Sequence, residues 1–368
     1  MRRSTVTKAR KELNVSDPLI SSCTIVKNER EYLPGMFECF APLVDEFIVV
    51  DTGSTDGTLD ITHPKLRLFP SQYFTKDTHP YEFDFSKARN EARDHAIGEW
   101  CLNIDPEYRM AREKVLELRK IIEGDEAKNL DVIAILISSG LERVYQASLI
   151  RRSCPIRYFG CVHETMKVRG LRVQAYPNIV IEHLRPVTDE DPEIGRAKRE
   201  RYLMMAVNAL LRNPDDEHAL GIIAQQFRNC NMLKEAKAAC LHVLNYKEGR
   251  EYDADYVSNM MMILAECYAW EGQCEMAIQQ FKGVLIYRPA AAEAMWAIGE
   301  IYRTIGDFDN AEIWYTKALE NKPPGKAFQL DRPMYRTTKP LESLRLLAEQ
   351  RAKKQLTTPK EVVCTASL

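Results

Sequence analysis

The chain has 368 residues, 45% of them hydrophobic and 28% charged, with a formal charge of −2. That length exceeds the usual size of one compact unit, so two domains are expected, and a charge near zero gives no bulk drive toward nucleic acid or membrane. No stretch approaches the roughly 20 apolar residues that span a bilayer, which excludes a transmembrane helix. Ten cysteines fall without a CxxC pair or a regular framework, and reduced thiols in a cytoplasmic compartment are the simplest reading.

Residues 1–18 are basic and polar, with no apolar signal core, and read as a flexible tail. From Leu19 the pattern is βα. Residues 20–26 form a strand, Lys27, Asn28, Glu29 and Arg30 a polar loop at its carboxyl end, and Leu33, Met36, Phe37 and Phe40 give the three-and-four spacing of a helix. Residues 47–50 are apolar on both faces and run into Asp51-Thr-Gly-Ser-Thr-Asp-Gly-Thr, a strand, an acidic Gly-containing loop and a helix start. This is the carboxyl edge of a parallel sheet, where open α/β folds bind ligands. The loop lacks GxxxxGK, so it is no P-loop.

A short strand over 66–69 and an aromatic-rich loop over 70–83 precede a helix over 85–96. Its Ala88, Ala92 and Ala96 make a small-residue face able to approach the sheet closely. The next strand, Trp100 to Ile104, ends on Asp105-Pro106-Glu107. Pro106 stops the ladder, and two carboxylates beyond a buried strand suit either a hard cation with phosphate or a solvated turn. Residues 131–138 form a further buried strand. Arg151, Arg152 and Arg157 lie in an arginine-rich stretch that runs to His163-Glu164, and His183 closes an apolar run over 179–183.

In this order, Ile25-Val-Lys-Asn-Glu29, Val49-Val-Asp-Thr-Gly-Ser-Thr-Asp-Gly-Thr58, Asp84-Phe-Ser-Lys-Ala-Arg-Asn90 and Gly98-Glu-Trp100 leading to Asp105-Pro-Glu107 resemble the family 2 glycosyltransferases of GT-A fold. The closest subgroup is the one with tetratricopeptide repeats behind the catalytic domain, which includes bacteriocin peptide glycosyltransferases. The resemblance implies a UDP-sugar donor across the strand ends, with Val26, Asn28, Glu29 and Asp51 at the uridine and Arg89 near the base or phosphates. It implies Mg²⁺ or Mn²⁺ and the ribose at Asp105 and Glu107, with His183 completing the metal's coordination. Glu164, beside His163, is the implied general base for inverting transfer, since that chemistry needs a base opposite the leaving phosphate. The departure is at the metal motif, where the family has Asp-Ala-Asp and this chain has Pro106 and Glu107. Arg151, Arg152 and Arg157 either meet an anionic group or are solvated charges.

Behind an acidic linker at 189–193 the pattern turns helical, and a helix over 194–211 joins three matched rows. Ala224, Ala265 and Gly299 are followed three residues on by Phe227, Tyr268 and Tyr302. Asn231, Gly272 and Gly306 are the turns; Ala236, Ala277, Ala311 and Leu244, Leu285, Leu319 recur after them. Ala265 and Gly299 stand 34 residues apart, the tetratricopeptide period. The earlier interval is longer, with the insertion in the 246–256 loop. The expected architecture is an α/β GT-A domain with a Rossmann-like, mostly parallel sheet (19–187), a helical linker and repeats (188–324), and a basic C-terminal helix and tail (325–368).

The expected function is metal-dependent inverting transfer from a UDP-sugar to a peptide or protein side chain (Cys, Ser or Thr). A surface-polysaccharide or other glycan acceptor comes next, and a nucleic-acid base last. The reading from another class is a catalytically weakened GT-A domain serving as a repeat-containing scaffold. The repeats themselves carry no chemistry and suit acceptor recognition or homo-oligomer pairing.

Overall fold

The computed structural model describes residues 19–139, 142–168, 170–185, 192–245, 254–322 and 330–357. The expected N-terminal tail and most of the acidic linker (189–193), of the 246–256 loop and of the C-terminal tail lie outside the described residues; Pro192 and Glu193 open one helix and 254–256 another. The chain divides into two compact units, one formed by residues 1–245 with 326–330 and the other by 246–325 with 331–368.

The first unit is built on a mostly parallel sheet. Its strands are β1 (Ile20–Val26), β2 (Glu46–Asp51), β3 (Leu66–Pro70), β4 (Trp100–Asn103), β5 (Tyr108–Arg109), β6 (Val132–Ser138), β7 (Arg143–Arg151) and β10 (Val173–His183), with the pair β8 (Tyr158–Phe159) and β9 (Thr165–Met166) apart from it. The path runs β3-β2-β1-β4-β7-β6-β10-β5. β1 pairs in parallel with β2 and β4, β2 with β3, and β6 with β10. β7 runs antiparallel between β4 and β6, and β5 antiparallel to β10.

β2 is buried at every position, as a strand covered on both faces must be. One cover is helix α1 (Leu33–Phe40), whose Leu33, Met36, Phe37 and Phe40 pack into the main core. The other is α2 (Phe85–His95): Ala92 and Ala96 sit against Cys23, Ile48, Val50 and Cys101, so the alanine face does bring helix and sheet close. Asp84 caps α2 by accepting from Lys87 N at 3.1 Å. Helix α3 (Arg112–Glu123) follows β5.

One local expectation changes. After Asp51 the chain makes only a 3-10 turn, Thr58–Asp60, because Gly57 and Pro64 leave too few residues between them for a stable helix.

Three further helices, α4 (Pro192–Arg212), α5 (Glu217–Asn229) and α6 (Leu233–Asn245), belong to this first unit. The first row of the repeat therefore groups with the sheet. The second unit holds the other two pairs, α7 (Ala254–Trp270) with α8 (Cys274–Tyr287) and α9 (Ala292–Thr304) with α10 (Phe308–Glu320), followed by α11 (Thr338–Thr357). The three turn residues Asn231, Gly272 and Gly306 all have positive φ, at 60°, 74° and 82°, the left-handed conformation that Gly and Asn tolerate best. Ala224, Ala265, Ala236, Ala277 and Ala311 are fully buried, and a Cβ at Gly299 would meet the Tyr315 ring. The leucines are half-buried; Val243, Val284 and Ala318, one residue before each, fill the interior. Leu347 of α11 packs on Ala311 and Tyr315 while Arg351 pairs with Asp309 and Glu312 at 2.7 and 2.5 Å, so this basic helix caps the stack.

Candidate active site

The strand ends of β1 and β2 are tied into one platform by local polar contacts. The Val26 carbonyl accepts from both Thr52 N and Thr52 Oγ1 at 2.9 Å. Asn28, at φ +60°, accepts from Thr55 N at 2.8 Å and donates its own N–H to Ser54 Oγ at 2.8 Å. Asp51 accepts from Gly53 N at 3.0 Å and Ser54 N at 3.1 Å, an Asx turn that shapes the loop. Thr52, with Val26, Asn28 and Glu29, reaches the wall of a cleft of about 1410 Å³, and Asp51 stays behind it.

Asp105, Glu107, Arg89, His163, Glu164 and His183 all line the same cleft. Arg89 is the hub. Its guanidinium makes a fork with Asp105, at 2.9 Å to Oδ1 and 3.1 Å to Oδ2, and donates from Nε to Glu164. Burial alone would lower the Arg89 pKa and raise that of Asp105. The pairing outweighs it, holding Arg89 well above and Asp105 below their ordinary values.

Glu107 differs from Asp105. Burial, and then the neighbouring Asp105 charge, push its carboxyl up. β5 pairs with β10 so that Tyr108 lies opposite His183, which brings Glu107 Oε1 within 3.5 Å of His183 Nε2. His183 Nδ1 is 2.8 Å from the Arg185 carbonyl. A carbonyl can only accept, so Nδ1 carries a proton there, and Nε2 is the ring nitrogen turned toward Glu107. Among the described residues no three His, Cys, Asp or Glu side chains form a metal cluster. The Glu107–His183 pair supplies two donors, and a hard divalent ion held with substrate phosphates needs few protein ligands, so these residues fit a metal that arrives with a diphosphate.

Glu164 sits on a loop that is far from ordinary. His163 has φ +50°, its ring meets Tyr202 edge-on at 5.2 Å, and burial lowers its pKa. Cys161 O accepts from Phe85 N at 2.9 Å, and Val162 O lies 2.8 Å from His218 Nε2. Lys198, Arg201 and Tyr202 of α4 form part of the cleft wall.

Several functional candidates were not visible as motifs. Arg185 pairs with Glu29, stands 3.9 Å from Glu107 and covers the Tyr32 ring at 4.6 Å; its only sequence signal is its position two residues after His183. Tyr158 lies under Arg89, 5.9 Å from ring centre to guanidinium carbon. Arg151, Arg152 and Arg157 are absent from the cleft wall and hold structure instead. Arg151 pairs with Glu99 and stacks on Trp100, Arg152 donates to Gly98 O at 2.9 Å, and Arg157 meets Asp94 at 2.7 Å.

Residues 21–176 match the glycosyl transferase family 2 model, and residues 292–324 match a tetratricopeptide repeat. A TPR repeat-containing protein of Synechococcus elongatus is 32% identical over 193 residues, covering 50% of this chain and 46% of that protein. The SPbeta prophage-derived glycosyltransferase SunS of Bacillus subtilis is 27% identical over 150 residues, covering 40% of this chain and 34% of that protein. The chain thus spans less than half the length of these curated relatives in each match. Among solved structures, a tetratricopeptide repeat protein from Parabacteroides merdae overlays with a TM-score of 0.34 at 16% identity, over 44% of this chain and 57% of that one.

Proposed function

We propose that this chain, whose residues 21–176 are a glycosyl transferase family 2 domain followed by a tetratricopeptide repeat, transfers a sugar from a UDP-sugar with inversion. The observation that carries the reading is the convergence of Asp105, Glu107, His183, Arg89 and Glu164 on one cleft at the strand ends. In this reading the loop of Val26, Asn28 and Glu29 receives the uridine, with Asp51 shaping that loop from behind. Arg89 and Arg185 face the diphosphate, where guanidinium forks match phosphate oxygens. Glu107 and His183, with Asp105 beside them, would hold Mg²⁺ or Mn²⁺. The ion, when bound, neutralises charge developing on the departing diphosphate.

Glu164 takes the proton of the acceptor as its oxygen or sulfur attacks the anomeric carbon. The bond from that carbon to the diphosphate oxygen breaks on the opposite face, and UDP leaves with the electron pair. Arg89 holds only Oε1 of Glu164, so the proton goes to Oε2, and an arriving diphosphate that draws the guanidinium away raises the basicity of the carboxylate. The acceptor proposed is a peptide or protein side chain, on the strength of the subgroup resemblance and of the repeats, which suit protein binding.

A second reading has its own observation. Arg89 clamps both Asp105 and Glu164, and this suits a weakened catalytic domain that serves as a scaffold. Hydrolysis of UDP-glucose, UDP-galactose and UDP-N-acetylglucosamine, with and without Mn²⁺, separates the two. The enzyme reading expects metal-stimulated hydrolysis lost in Asp105→Ala. No nucleotide binding, and only background hydrolysis insensitive to metal and mutation, would leave the scaffold.

A further inference from the structure

The first helices behind the sheet look, by sequence, like the start of a separate recognition module. Their contacts say otherwise. The loop that carries Glu164 runs from Gly160 to Thr165 with little regular pairing of its own: only the two-residue strands β8 and β9 flank it. A loop this irregular needs outside partners to hold a carboxylate in place.

Those partners come mainly from α4 and α5. Cys161 and Val162 are buried in one cluster with Met205 and Ala206 of α4 and Ala219, Ile222 and Ile223 of α5. The His163 ring, in its left-handed backbone, leans on Tyr202. His218, in the first turn of α5, is 2.8 Å from the Val162 carbonyl and edge-on to Phe159 at 5.7 Å. Gly160 has φ +93°, and a Cβ there would run into the His218 ring, so ring and backbone are in direct contact. On the far side Asn208 of α4 donates to Tyr81 O at 3.0 Å, tying the same helix to the aromatic loop before α2.

We infer that His218 and Tyr202 are positioning residues for Glu164, so that the joining helix α4 and the first repeat helix α5 are a working part of the active site and not a detachable acceptor module. This rests on the reading of Glu164 as the base. The chemistry is simple: His218 Nε2 donates to the Val162 carbonyl, two residues before Glu164, and the ring blocks the loop from collapsing at Gly160. A base misplaced by about 1 Å can lose on the order of a hundredfold in rate, so a hydrogen bond two residues away has a measurable catalytic reach.

The test uses the full chain with UDP-glucose, UDP-galactose and UDP-N-acetylglucosamine as donors, water as the acceptor, and UDP with Mn²⁺ as the binding probe. His218→Ala should lower kcat of hydrolysis by roughly 10- to 100-fold, leave UDP affinity within about twofold, and raise amide hydrogen exchange across residues 160–166. His218→Gln, whose amide can donate to the same carbonyl, should restore most of both. Unchanged exchange in the alanine variant, or exchange that rises equally in the glutamine variant, would overturn the inference. So would hydrolysis that falls for Glu164→Gln but not for His218→Ala. If Glu164→Gln hydrolyses at the wild-type rate, the base assignment itself fails, and the exchange data still decide whether His218 holds the loop.

Discussion

The two sides of the cleft are built by different means. The donor side is made of loops that tie themselves: Asp51, Asn28 and Thr52 bond to backbone groups or side chains of the loops at the ends of β1 and β2. The Glu164 side is made of a loop with few bonds of its own, held by side chains from α4 and α5, Tyr202 to Ile223, that lie 38 to 59 positions beyond Glu164. The platform proposed for the donor is therefore specified by short motifs, while the proposed base, Glu164, depends on docking of distant helices. Damage to one side should be separable from damage to the other.

The largest effect expected is that of Glu164→Gln. Loss of a general base costs on the order of 10²- to 10⁴-fold in turnover, while UDP affinity, measured by calorimetry, should not fall, because a neutral amide competes less than the carboxylate for the Arg89 guanidinium. A parallel loss of UDP binding would show that the two sides are not separable. Asp105→Ala should hit both sides, because it takes from Arg89 the carboxylate that holds its fork. Breaking such a largely buried pair costs about 3 kcal/mol, read as a lower urea midpoint, together with weaker UDP–Mn²⁺ binding.

Asn28→Ala should be confined to the donor side. It removes the side-chain oxygen that accepts from Thr55 N, keeps the backbone N–H to Ser54 Oγ, and leaves alanine, which tolerates φ +60° less well than Asn, in the left-handed region, a cost of about 1 to 2 kcal/mol. The donor KM should rise with kcat nearly kept; a fall in kcat alone would contradict the platform role.

The smallest effect is expected outside the cleft. Glu300 accepts from Tyr315 Oη at 2.7 Å, Ser343 Oγ at 2.6 Å and Arg303 at 2.6 Å. Burial alone would raise its pKa, but Arg303, Ser343 and Tyr315 hold it below the usual carboxylate range. A depressed folded-state pKa means stabilisation that is present above the unfolded-state value, near 4.3, and is lost as pH falls through the folded-state value. Glu300→Gln should therefore be less stable by about 1 kcal/mol at pH 7, with the difference closing toward pH 3. Urea titrations of both proteins check this. Hydrolysis should not change.

Much of this was legible in the sequence. β1, β2, β3, β4 and β6 follow from apolar runs that end at polar loops, and α2 from its alanine spacing. The repeat rows follow from small residues and turns that recur because paired helices cross closely. The antiparallel insertion of β7 between β4 and β6 was not legible, since an apolar run does not state its direction. Nor was the shortening of the helix after Asp51, although Gly57 and Pro64 were in view. Among the residues that line the cleft, Asn28, Glu29, Asp105 and Glu107 stand in motifs that the sequence displays. Arg185, Tyr202 and His218 have no motif, because their roles arise from contacts across 39 residues or more, as with Tyr202 on His163, His218 on Val162 and Arg185 on Glu29.

The sequence by itself determined the elements, the order of the strand-end motifs and the repeat behind them, because side-chain periodicity and turn chemistry act over a few residues. Only the tertiary structure decided that Arg89 bridges Asp105 and Glu164, that His183 turns its Nε2 to Glu107, and that the joining helix α4 and the first repeat helix α5 brace the Glu164 loop. Those facts depend on which distant surfaces pack together, and packing is fixed by shape and burial summed over the whole unit.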